Sequence, residues 1–347
     1  MPDILIYIGQ RWKIYYIYLS EKGVVCIKCT NTDDLIREYI IKKLYLLITF
    51  NSQINLIMKQ IFISAVLLIT ALTLNAQKFN VGTYNVRNDN SSDVGNMWKD
   101  RFPYIAKLIQ YHDFDFFGTQ EALPNQLKDM KTALPGYDYY GEGRDGNGQG
   151  EHSAIFYKTD KYRLLRNGDF WLSATPDVPS KSWDAPCCNR ICTWVELQDI
   201  KSGKSFFVFS AHYDYEKNYA RNESSKLILT KIKEIAGDNP VIFMGDLNGG
   251  MNSSWAQLLN NSGVLRDTYC DVEHPYANNS SYNAWGKPLE ELDNLDRAII
   301  STNEILDHIY FSKHFKTKRW GMLTDTYNIG KFPSDHFPIL VNAEWAK

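Results

Sequence analysis

The sequence predicts one α/β domain in which helices cover mixed β-sheets. Short runs rich in aromatic and β-branched residues recur through the second part of the chain, and such runs are typical of buried strands. Between them lie stretches with a helical apolar period, such as 220–236, which places Ile228, Ile232 and Ile235 on one face. Strands interleaved with helices favour a layered α/β architecture.

The predicted elements follow one another without an internal repeat or a low-complexity linker. Strands are expected at 79–84, 114–119, 153–157, 191–197, 206–210, 241–244, 305–311 and 339–345. Helices are expected around 102–109 and over 220–236. The glycine-rich segment 141–150 is predicted to be a loop, and loops at strand ends are where functional sites are built.

The bulk composition is that of a globular protein. The 347 residues include 38 Lys and Arg against 40 Asp and Glu, and 44% are hydrophobic. This balance excludes a disordered chain, a collagen-like repeat and a polytopic membrane protein. It also lacks the strong basic excess that is typical of many nucleic-acid binders.

A secretory signal peptide is predicted at 58–76. Met58 and Lys59 precede the apolar run Ile61–Leu74, and a small residue, Ala76, stands before Gln77. The run is shorter than the roughly 20 residues that cross a bilayer, and no cysteine follows it to take a lipid. We therefore expect cleavage near Ala76/Gln77 and a secreted or periplasmic protein without a stable membrane anchor. A buried core helix or a membrane anchor is the alternative interpretation.

Residues 1–57 are then a doubtful leader, and we expect translation to begin at Met58. The remaining segment, 77–347, is expected to be the catalytic domain; its 30 basic and 35 acidic side chains give a formal net charge of −5. Disulfides are compatible with an oxidising compartment, but the sequence does not give their pairing. The four cysteines of this segment are Cys187, Cys188, Cys192 and Cys270.

Polar residues stand at or near the ends of six predicted strands. They are Asn85, Glu121, His212, Asp246 with Asn248, Asp307, and Asp335 with His336. Any one of them alone is most simply a turn former or a helix cap, but six together indicate a common site. Clustered carboxylates repel one another unless a cation lies among them. Oxygen ligands suit Mg²⁺, Mn²⁺ or Ca²⁺ better than zinc.

Six motifs give the chain a resemblance to a known family. In order they are TYNVR (83–87), GTQEAL (118–123), FSAHYD (209–214), GDLN (245–248), LDHIYFS (306–312) and SDHFPI (334–339). With these motifs the chain resembles the endonuclease/exonuclease/phosphatase superfamily, the metal-dependent phosphoesterases related to DNase I. The resemblance implies a four-layer α/β sandwich of two facing mixed sheets with helices outside.

The resemblance also implies roles for individual residues. Glu121 corresponds to the main metal ligand, with Asn85 and Asp335 in support, and Mg²⁺ is the expected ion. Asp246 corresponds to the residue that orients or deprotonates the attacking water, and Asn248 to the one that binds the scissile phosphate.

Three further residues take family roles through the same motifs. His336 would contact the phosphate or act as general acid or base, and Asp307 would hold its imidazole in the required tautomer. His212 would donate to a phosphate oxygen. The alternatives are a satisfied core histidine for His212 and a purely structural Asp307.

Other segments are similar to a bacterial secreted subgroup of the superfamily, with some similarity to its nocturnin-like branch. They are WKDR (98–101), GEGRDGNGQGE (141–151), FWLSATPDVPSKSWD (170–184) and NRICTW (189–194). Arg144, Glu151, Arg190 and Arg221 are candidates either for supporting the catalytic residues from behind or for binding substrate at the rim of the site. Loop solvation and surface ion pairs are equally simple explanations of these four.

These observations support three hypotheses of function. The first is a secreted Mg²⁺-dependent hydrolase that cleaves a phosphoester or phosphodiester of a small molecule, a sugar phosphate or a lipid headgroup by metal-assisted attack of water. The second is a secreted endo- or exonuclease. The third, a catalytically silent binding module, is disfavoured because every expected catalytic position carries a competent residue. No protein partner is implied.

Overall fold

The computed structural model describes residues 4–8, 15–19, 78–276 and 279–346. The chain divides into two compact units, Met1–Asn75 and Ala76–Lys347. In the first unit, strands β1 (Ile4–Ile8) and β2 (Tyr15–Leu19) pair antiparallel. The predicted signal peptide and its cleavage point lie outside the described residues.

The second unit contains two mixed six-stranded sheets. The first sheet has the strand order β13-β14-β3-β4-β6-β5. Its strands are β3 (Lys78–Asn85), β4 (Phe116–Gln120), β5 (Tyr137–Tyr140), β6 (Ile155–Lys158), β13 (Phe315–Met322) and β14 (Ile339–Trp345). Strands β3 and β4 are parallel, and the other neighbours in this sheet are antiparallel.

The second sheet has the order β11-β12-β10-β9-β8-β7. Its strands are β7 (Tyr162–Trp171), β8 (Ile191–Asp199), β9 (Ser205–His212), β10 (Val241–Asp246), β11 (Arg266–Asp267) and β12 (Asp307–Phe311). Strands β9 and β10 are parallel, and the other neighbours among these described strands are antiparallel.

Helices cover the outer face of each sheet. The described helices are α1 (Trp98–Tyr111), α2 (Pro124–Ala133), α3 (Asn218–Ile235), α4 (Ser254–Asn260) and α5 (Asn294–Ser301), with short 3₁₀ turns at Thr268–Asp271, Ala284–Gly286 and Leu289–Glu291. Buried residues of α1 and α2 pack with the first sheet, and those of α3 and α4 pack with the second. Within the described residues, no helix has both the length and the apolar character that a membrane crossing requires.

A third apolar core fills the space between the two sheets, which gives the four layers of the predicted sandwich. Successive side chains of a strand point to opposite faces of its sheet, so each strand contributes to two cores. In β4, for example, Phe116 joins the core between the sheets and Phe117 joins the core under the helices. The runs of consecutive apolar residues in the sequence follow from this double burial.

The inward-facing rows of the strands become polar at one end of the sandwich. In β10, Ile242 and Met244 belong to the core between the sheets, and Asp246 is the next residue on the same face. In β12, Ile309 lies in that core and Asp307 precedes it on the same face. The catalytic candidates therefore continue the core rows at the mouth between the sheets.

A neutral polar layer separates the apolar core from these charged groups. The side-chain amide of Gln120 donates from Nε2 to Thr83 Oγ1 at 3.1 Å and to Ser210 Oγ at 3.4 Å, so one residue links both sheets. All three residues are fully buried. Satisfied hydrogen bonds let polar side chains lie at this depth without a large desolvation penalty.

The predicted α/β class and the four-layer sandwich are confirmed, and the element bounds shift by a few residues. The long helix begins at Asn218 and ends at Ile235, and the strand expected at 305–311 begins at Asp307. The strand expected at 114–119 begins at Phe116, because Phe114 and Asp115 belong to the turn that follows α1.

Candidate active site

Three catalytic candidates lie side by side on the second sheet. Asp246, at the end of β10, is in register with Asp307 of the antiparallel β12 and with His212 of the parallel β9. All three side chains face the mouth of the sandwich and are nearly or fully buried. The sheet register alone therefore brings together residues that are up to 95 positions apart in sequence.

The glycine of the GDLN motif allows this close arrangement. Gly245 has a φ of 153°, and a Cβ at this position would lie 1.9 Å from the carbonyl oxygen of Ala211 on β9. No other residue fits without a shift of the neighbouring backbone. Gly245 therefore places Asp246 directly beside the end of β9.

Glu121 reaches the site through an unusual backbone conformation. It follows β4 with a φ of 64°, a region that non-glycine residues rarely occupy. Its Oε1 accepts a hydrogen bond from Asn85 Nδ2 at 3.0 Å, and its Oε2 accepts bonds from the backbone N and the Nδ2 of Asn88 at 3.2 and 3.1 Å. Asn85 Nδ2 also donates to Asp246 Oδ2 at 2.9 Å, which links the two sheets at the site.

A second carboxylate, Asp335, lies near Glu121, and Arg87 approaches both. Arg87 Nη1 is 3.8 Å from Glu121 Oε2, and its Nε is 3.7 Å from Asp335 Oδ2. Burial opposes ionisation of Glu121, but Arg87 and the amide of Asn85 lower its pKa. Burial raises the pKa of Asp335 to about 6, and the negative charge of Glu121 adds to this rise. The pair thus carries more negative charge than Arg87 neutralises.

His336 and Asp307 form a buried dyad. His336 Nδ1 lies 2.9 Å from Asp307 Oδ2, and its other ring nitrogen, Nε2, is 3.7 Å from Asp246 Oδ2. Although burial opposes its charge, the carboxylates of Asp307 and Asp246 raise the pKa of His336 to about 10. Burial and the nearby Asp307 raise the pKa of Asp246 to about 7. The Asp307 carboxylate thus orients His336 so that its Nε2 points toward Asp246.

His212 and Asn248 complete the wall around Asp246. His212 Nε2 is 3.6 Å from Asp246 Oδ2, and burial, Arg190 and Arg144 lower the pKa of His212 well below its usual range. Asn248 adopts a left-handed backbone with a φ of 52°, and its Nδ2 donates to the carbonyl of Tyr213 at 3.0 Å. A neutral imidazole and a fixed amide are suitable neutral donors to a phosphate oxygen.

The donor set fits a hard divalent cation. Glu121 and Asp335 offer carboxylate oxygens whose negative charges oppose each other, and a cation relieves that repulsion. Beside them, the ligand atoms of Asp246, Asp307 and His336 lie within 4.8 Å of one another, and Asp307 Oδ1 is buried without a hydrogen-bond partner in the described chain. An oxygen-rich site of this kind suits Mg²⁺, Mn²⁺ or Ca²⁺.

Glu121, Asp246, Asp335 and His336 line one cleft of about 500 Å³, and Asp307 is buried behind His336. The four predicted substrate-binding residues, Arg144, Glu151, Arg190 and Arg221, also line it. Arg190 is only 4% exposed, so it lies in the interior of the wall and not at a solvated rim. Burial lowers the pKa of both Arg190 and Arg221, and the positive charge of Arg144 contributes at Arg190.

The structure therefore brings all twelve sequence-predicted site residues to one cleft or its immediate wall. Sequence reasoning missed Arg87 and Asn88, which hold the carboxylates of the first sheet, although Arg87 ends the TYNVR motif and Asn88 follows it. It also missed Tyr282, whose ring lies 5.2 Å from that of His336 and whose hydroxyl donates to Asp296 at 3.0 Å. Tyr282 stands in a loop without any motif, so no sequence signal indicated it.

The cysteines show a pairing that the sequence did not give. Cys187 is disulfide-bonded to its neighbour Cys188, and both line the cleft. Cys192 is free and buried in β8, and Cys270 is free.

Comparison with known proteins agrees with this geometry. Residues 82–336 match the Endonuclease/Exonuclease/phosphatase family. A mannosyl-6-phosphatase of Bacteroides thetaiotaomicron is 44% identical and superposes with a TM-score of 0.69, covering 78% of this chain and 100% of that one.

More distant similarity extends to eukaryotic proteins. The human nocturnin catalytic domain is 18% identical with a TM-score of 0.59, over 78% of this chain and 94% of that one, which shows a shared fold. The CCR4-Not complex 3′-5′-exoribonuclease subunit Ccr4 of Saccharomyces cerevisiae is 25% identical over 56% of this chain and 27% of its own length. Only about a quarter of Ccr4 is therefore matched.

The family match spans most of the second unit, from Gly82 within β3 to His336. It contains the first five motifs and the first three residues of SDHFPI. The carboxylate pair and the His336–Asp307 dyad lie within it, and β14 follows it. The family's enzymes are metal-dependent phosphoesterases and nucleases. The chain belongs to the Endonuclease/Exonuclease/phosphatase family and is a metal-dependent hydrolase of the phosphoesterase class.

Proposed function

We propose that this protein is a secreted, Mg²⁺-dependent phosphoesterase that hydrolyses a phosphate ester of a small molecule, with sugar phosphates as the first candidates. The observation that carries the proposal is the cleft that the metal-binding carboxylates, Asp246, His336 and four arginines line together. Its volume of about 500 Å³ is in the range of small-molecule sites. The 44% identity to a mannosyl-6-phosphatase supports the choice of sugar phosphates.

The residues of the cleft divide the work of hydrolysis. Glu121 and Asp335, with Asn85 in support, would hold the metal ion, which when bound neutralises phosphate charge. Asp246 stands where it can orient the attacking water and accept its proton, and Asn248 and His212 supply donors for phosphate oxygens. His336, oriented by Asp307, contacts the phosphate or assists proton transfer as general acid or base.

Mg²⁺ is proposed because the candidate ligands on the first sheet are carboxylate and amide oxygens without sulfur. We expect chelation with EDTA to abolish turnover and added Mg²⁺ to restore it. Restoration by Zn²⁺ but not by Mg²⁺ would contradict the proposed ion. Thermal unfolding with and without EDTA separates loss of the ion from loss of the fold.

A nuclease remains the second candidate function, on the strength of the similarity to Ccr4. The net charge of −5 over 77–347 argues against a long nucleic-acid footprint, since phosphate neutralisation requires many Lys and Arg side chains. A nuclease predicts that cleavage of RNA or DNA far exceeds hydrolysis of small esters and falls steeply with salt. A small-substrate enzyme predicts weak salt dependence.

A hydrolysis screen with Mg²⁺ distinguishes these functions. The panel contains mannose 6-phosphate, other sugar phosphates, inositol phosphates, sphingomyelin, RNA and DNA, each measured at about 50 and about 200 mM salt. We expect the highest kcat/KM on a sugar phosphate. Preferred cleavage of RNA or DNA would replace the proposal with the nuclease, and inactivity on the whole panel would refute it.

Secretion is proposed from the signal-peptide pattern at 58–76. Fractionation of cells that produce the native protein, with mass spectrometry of its N-terminus, tests it. We expect an extracytoplasmic protein that begins near Gln77. A cytoplasmic protein that retains peptides from 1–57 would contradict both the start at Met58 and the export.

A further inference from the structure

Arg190 is a buried cation whose guanidinium makes no hydrogen bond to the residues that the structure describes. It immediately precedes β8, and its side chain is 5% exposed. The nearest carboxylate oxygen, Asp214 Oδ2, is 4.0 Å from its Nε, and both of these atoms are buried without a hydrogen-bond partner in the described chain. Burying a charged group without hydrogen-bond partners carries a large desolvation cost. A bound anion that accepts from Arg190 would offset that cost.

Arg190 lines a small cavity that also includes the metal-binding candidate Glu121. We call this cavity the arginine notch. Its charged or titratable lining residues are Glu121, Arg144, Glu151, His152, Arg190 and His212, and Ser153, Asn189 and Ile191 complete it. Its volume of about 10 Å³ is roughly that of one water-sized group. The notch opens from the large cleft, because the two share Glu121, Arg144, Glu151, Arg190 and His212.

The surrounding contacts hold the notch in shape. The backbone carbonyl of Arg144 accepts hydrogen bonds from Trp171 Nε1 at 2.7 Å and from Asn189 Nδ2 at 3.2 Å. The Arg144 guanidinium pairs with Glu151, whose Oε1 accepts from Asn88 Nδ2 at 3.3 Å. Arg144 thus already has a carboxylate partner, whereas Arg190 has donors that no described residue uses.

A phosphate monoester matches these donors better than a diester does. Near neutral pH a monoester is a dianion with three non-bridging oxygens, and a diester is a monoanion with two. The additional oxygen and charge require an additional cation, and a guanidinium binds such oxygens with up to two parallel hydrogen bonds. A diester that placed its second alkoxy group in the notch would exceed a space for one water-sized group.

We propose that Arg190, with Arg144 beside it, binds the terminal non-bridging oxygen of a phosphate monoester and makes the enzyme select monoesters over diesters. This inference rests on the proposed phosphoesterase function and names the substrate class of the same site. Arg190 then acts as a specificity-determining residue, while the carboxylates and the His336–Asp307 dyad serve both ester classes.

The test compares Arg190→Met and Arg190→Lys with the wild type on p-nitrophenyl phosphate and bis(p-nitrophenyl) phosphate, with Mg²⁺. We expect Arg190→Met to lower kcat/KM on the monoester by about 100-fold or more and on the diester by less than about 10-fold. Arg190→Lys, which keeps the charge but not the planar donors, should lie between. Inhibition by inorganic phosphate should weaken by at least about tenfold in Arg190→Met.

The ratio of the two kcat/KM values is independent of the fraction of folded enzyme, so a partly unfolded preparation still distinguishes the outcomes. The matched control is Arg166→Met, which removes a surface arginine paired with Glu196 and should leave the ratio unchanged. If Arg190→Met yields no folded protein, Arg144→Gln provides the second variant, and we expect the same direction with a smaller change in ratio.

Equal losses on the two esters would overturn the inference and make Arg190 a structural residue. A wild-type enzyme that hydrolyses phosphate esters but prefers the diester would also overturn it, while leaving the proposed phosphoesterase activity intact. If the wild type hydrolyses neither these esters nor the sugar phosphates, the proposed function itself fails, and the inference fails with it.

Discussion

Two buried arginines of this molecule have opposite surroundings. Arg101, on α1, is fully buried between the rings of Trp98 and Trp285, 5.0 and 5.4 Å from their centroids. Its guanidinium donates to five backbone carbonyls, those of Val86, Arg87, Asn88, Asn96 and Pro333. Arg190 is almost as deeply buried but makes no hydrogen bond to the described chain.

The difference separates two tasks. Four of the carbonyls that Arg101 binds belong to the loop after Asn85 and to the residue that precedes Ser334 and Asp335, so it ties together the two segments that carry metal-binding candidates. Its donors are used within the protein, which stabilises the site before any ligand arrives. Arg190 keeps its donors for a ligand at the edge of the same site. Two arginines that are buried to a similar extent thus have different roles: Arg101 positions the site, and Arg190 is available to bind a ligand.

The largest expected effect comes from Glu121, a metal-binding candidate that lines the same notch as Arg190. Glu121→Gln keeps the size of the side chain and its acceptor for Asn85 but removes the charge that the metal ion needs. We expect kcat/KM to fall by at least about 1,000-fold on every hydrolysed ester, with the melting temperature near that of the wild type. Steady-state kinetics with saturating Mg²⁺ and thermal unfolding measure the two quantities.

Glu344→Gln is the control, since Glu344 pairs with Lys318 on an edge strand far along the sheet from the site. Activity of Glu121→Gln within about tenfold of the wild type would remove Glu121 from the metal site. The arginine notch, which Glu121 also lines, would then no longer lie beside the metal site, and Arg190 would lose its argued role as a ligand-binding residue.

The next largest effect tests the structural role of Arg101. Arg101→Met removes a donor from five carbonyls. The Arg87 carbonyl also accepts from Gln126 Nε2, but four have no other donor in the described chain, those of Val86, Asn88, Asn96 and Pro333. Each unsatisfied buried group costs about 1–3 kcal/mol. We therefore expect the free energy of unfolding to fall by about 3 kcal/mol or more, as measured by urea denaturation. The ratio of monoester to diester turnover should remain that of the wild type, in contrast to Arg190→Met.

Arg166→Met again supplies the control, with an expected change within about 0.5 kcal/mol for a surface position. A stable Arg101→Met protein with an altered ester ratio would reverse the assignment of the two arginines. It would show that the loop after Asn85, and not the notch, determines selectivity.

The polar residues at the strand ends could be predicted from the sequence, but the different roles of Arg101 and Arg190 could not. Asn85, Asp246 and Asp307 each continue an alternating inward row, so the local pattern of apolar residues already places them at one end of a sheet. Glu121 does not follow that rule: it comes one residue after the inward-facing Gln120 and reaches the site through a positive φ. Its place just after a predicted strand and the resemblance to the family both indicated Glu121, but neither gave this backbone conformation.

The two arginines show why the rest could not be predicted. Arg101 in WKDR and Arg190 in NRICTW both stand beside aromatic or apolar residues, and the sequence gives no sign of which carbonyls or carboxylates lie opposite. Most of the carbonyls that Arg101 binds lie more than 10 residues away along the chain, and one belongs to the distant Pro333. For the same reason, the sequence did not decide whether Arg190 lies behind the catalytic residues or at the substrate-binding rim.

A third buried basic side chain, His308, provides an intermediate case and the smallest expected effect. Its Nδ1 lies 2.9 Å from Asp267 Oδ2, and its Nε2 lies 3.0 Å from the carbonyl oxygen of Gly249, next to Asn248. Burial opposes its charge, but Asp267 and the Gly249 carbonyl, with Asp307 nearby, raise the pKa of His308 above its ordinary value. When it is protonated, His308 therefore donates to one carboxylate and one carbonyl.

Because the pKa of His308 is higher in the folded than in the unfolded protein, its stabilising contribution is fully present below about pH 6.5 and is lost as the pH rises through the folded value. Asp267→Asn keeps the acceptor for the backbone N of Tyr269 but removes the charge. We expect it to lower the free energy of unfolding by roughly 1–2 kcal/mol at about pH 6, the order of one charge-assisted hydrogen bond. The difference in free energy of unfolding between this variant and the wild type should become smaller toward alkaline pH. Urea denaturation at a series of pH values measures it. If the difference in free energy of unfolding between Asp267→Asn and the wild type is the same at every pH, His308 is neutral in the folded protein. The comparison of buried positive charges in this fold would then be limited to Arg101 and Arg190.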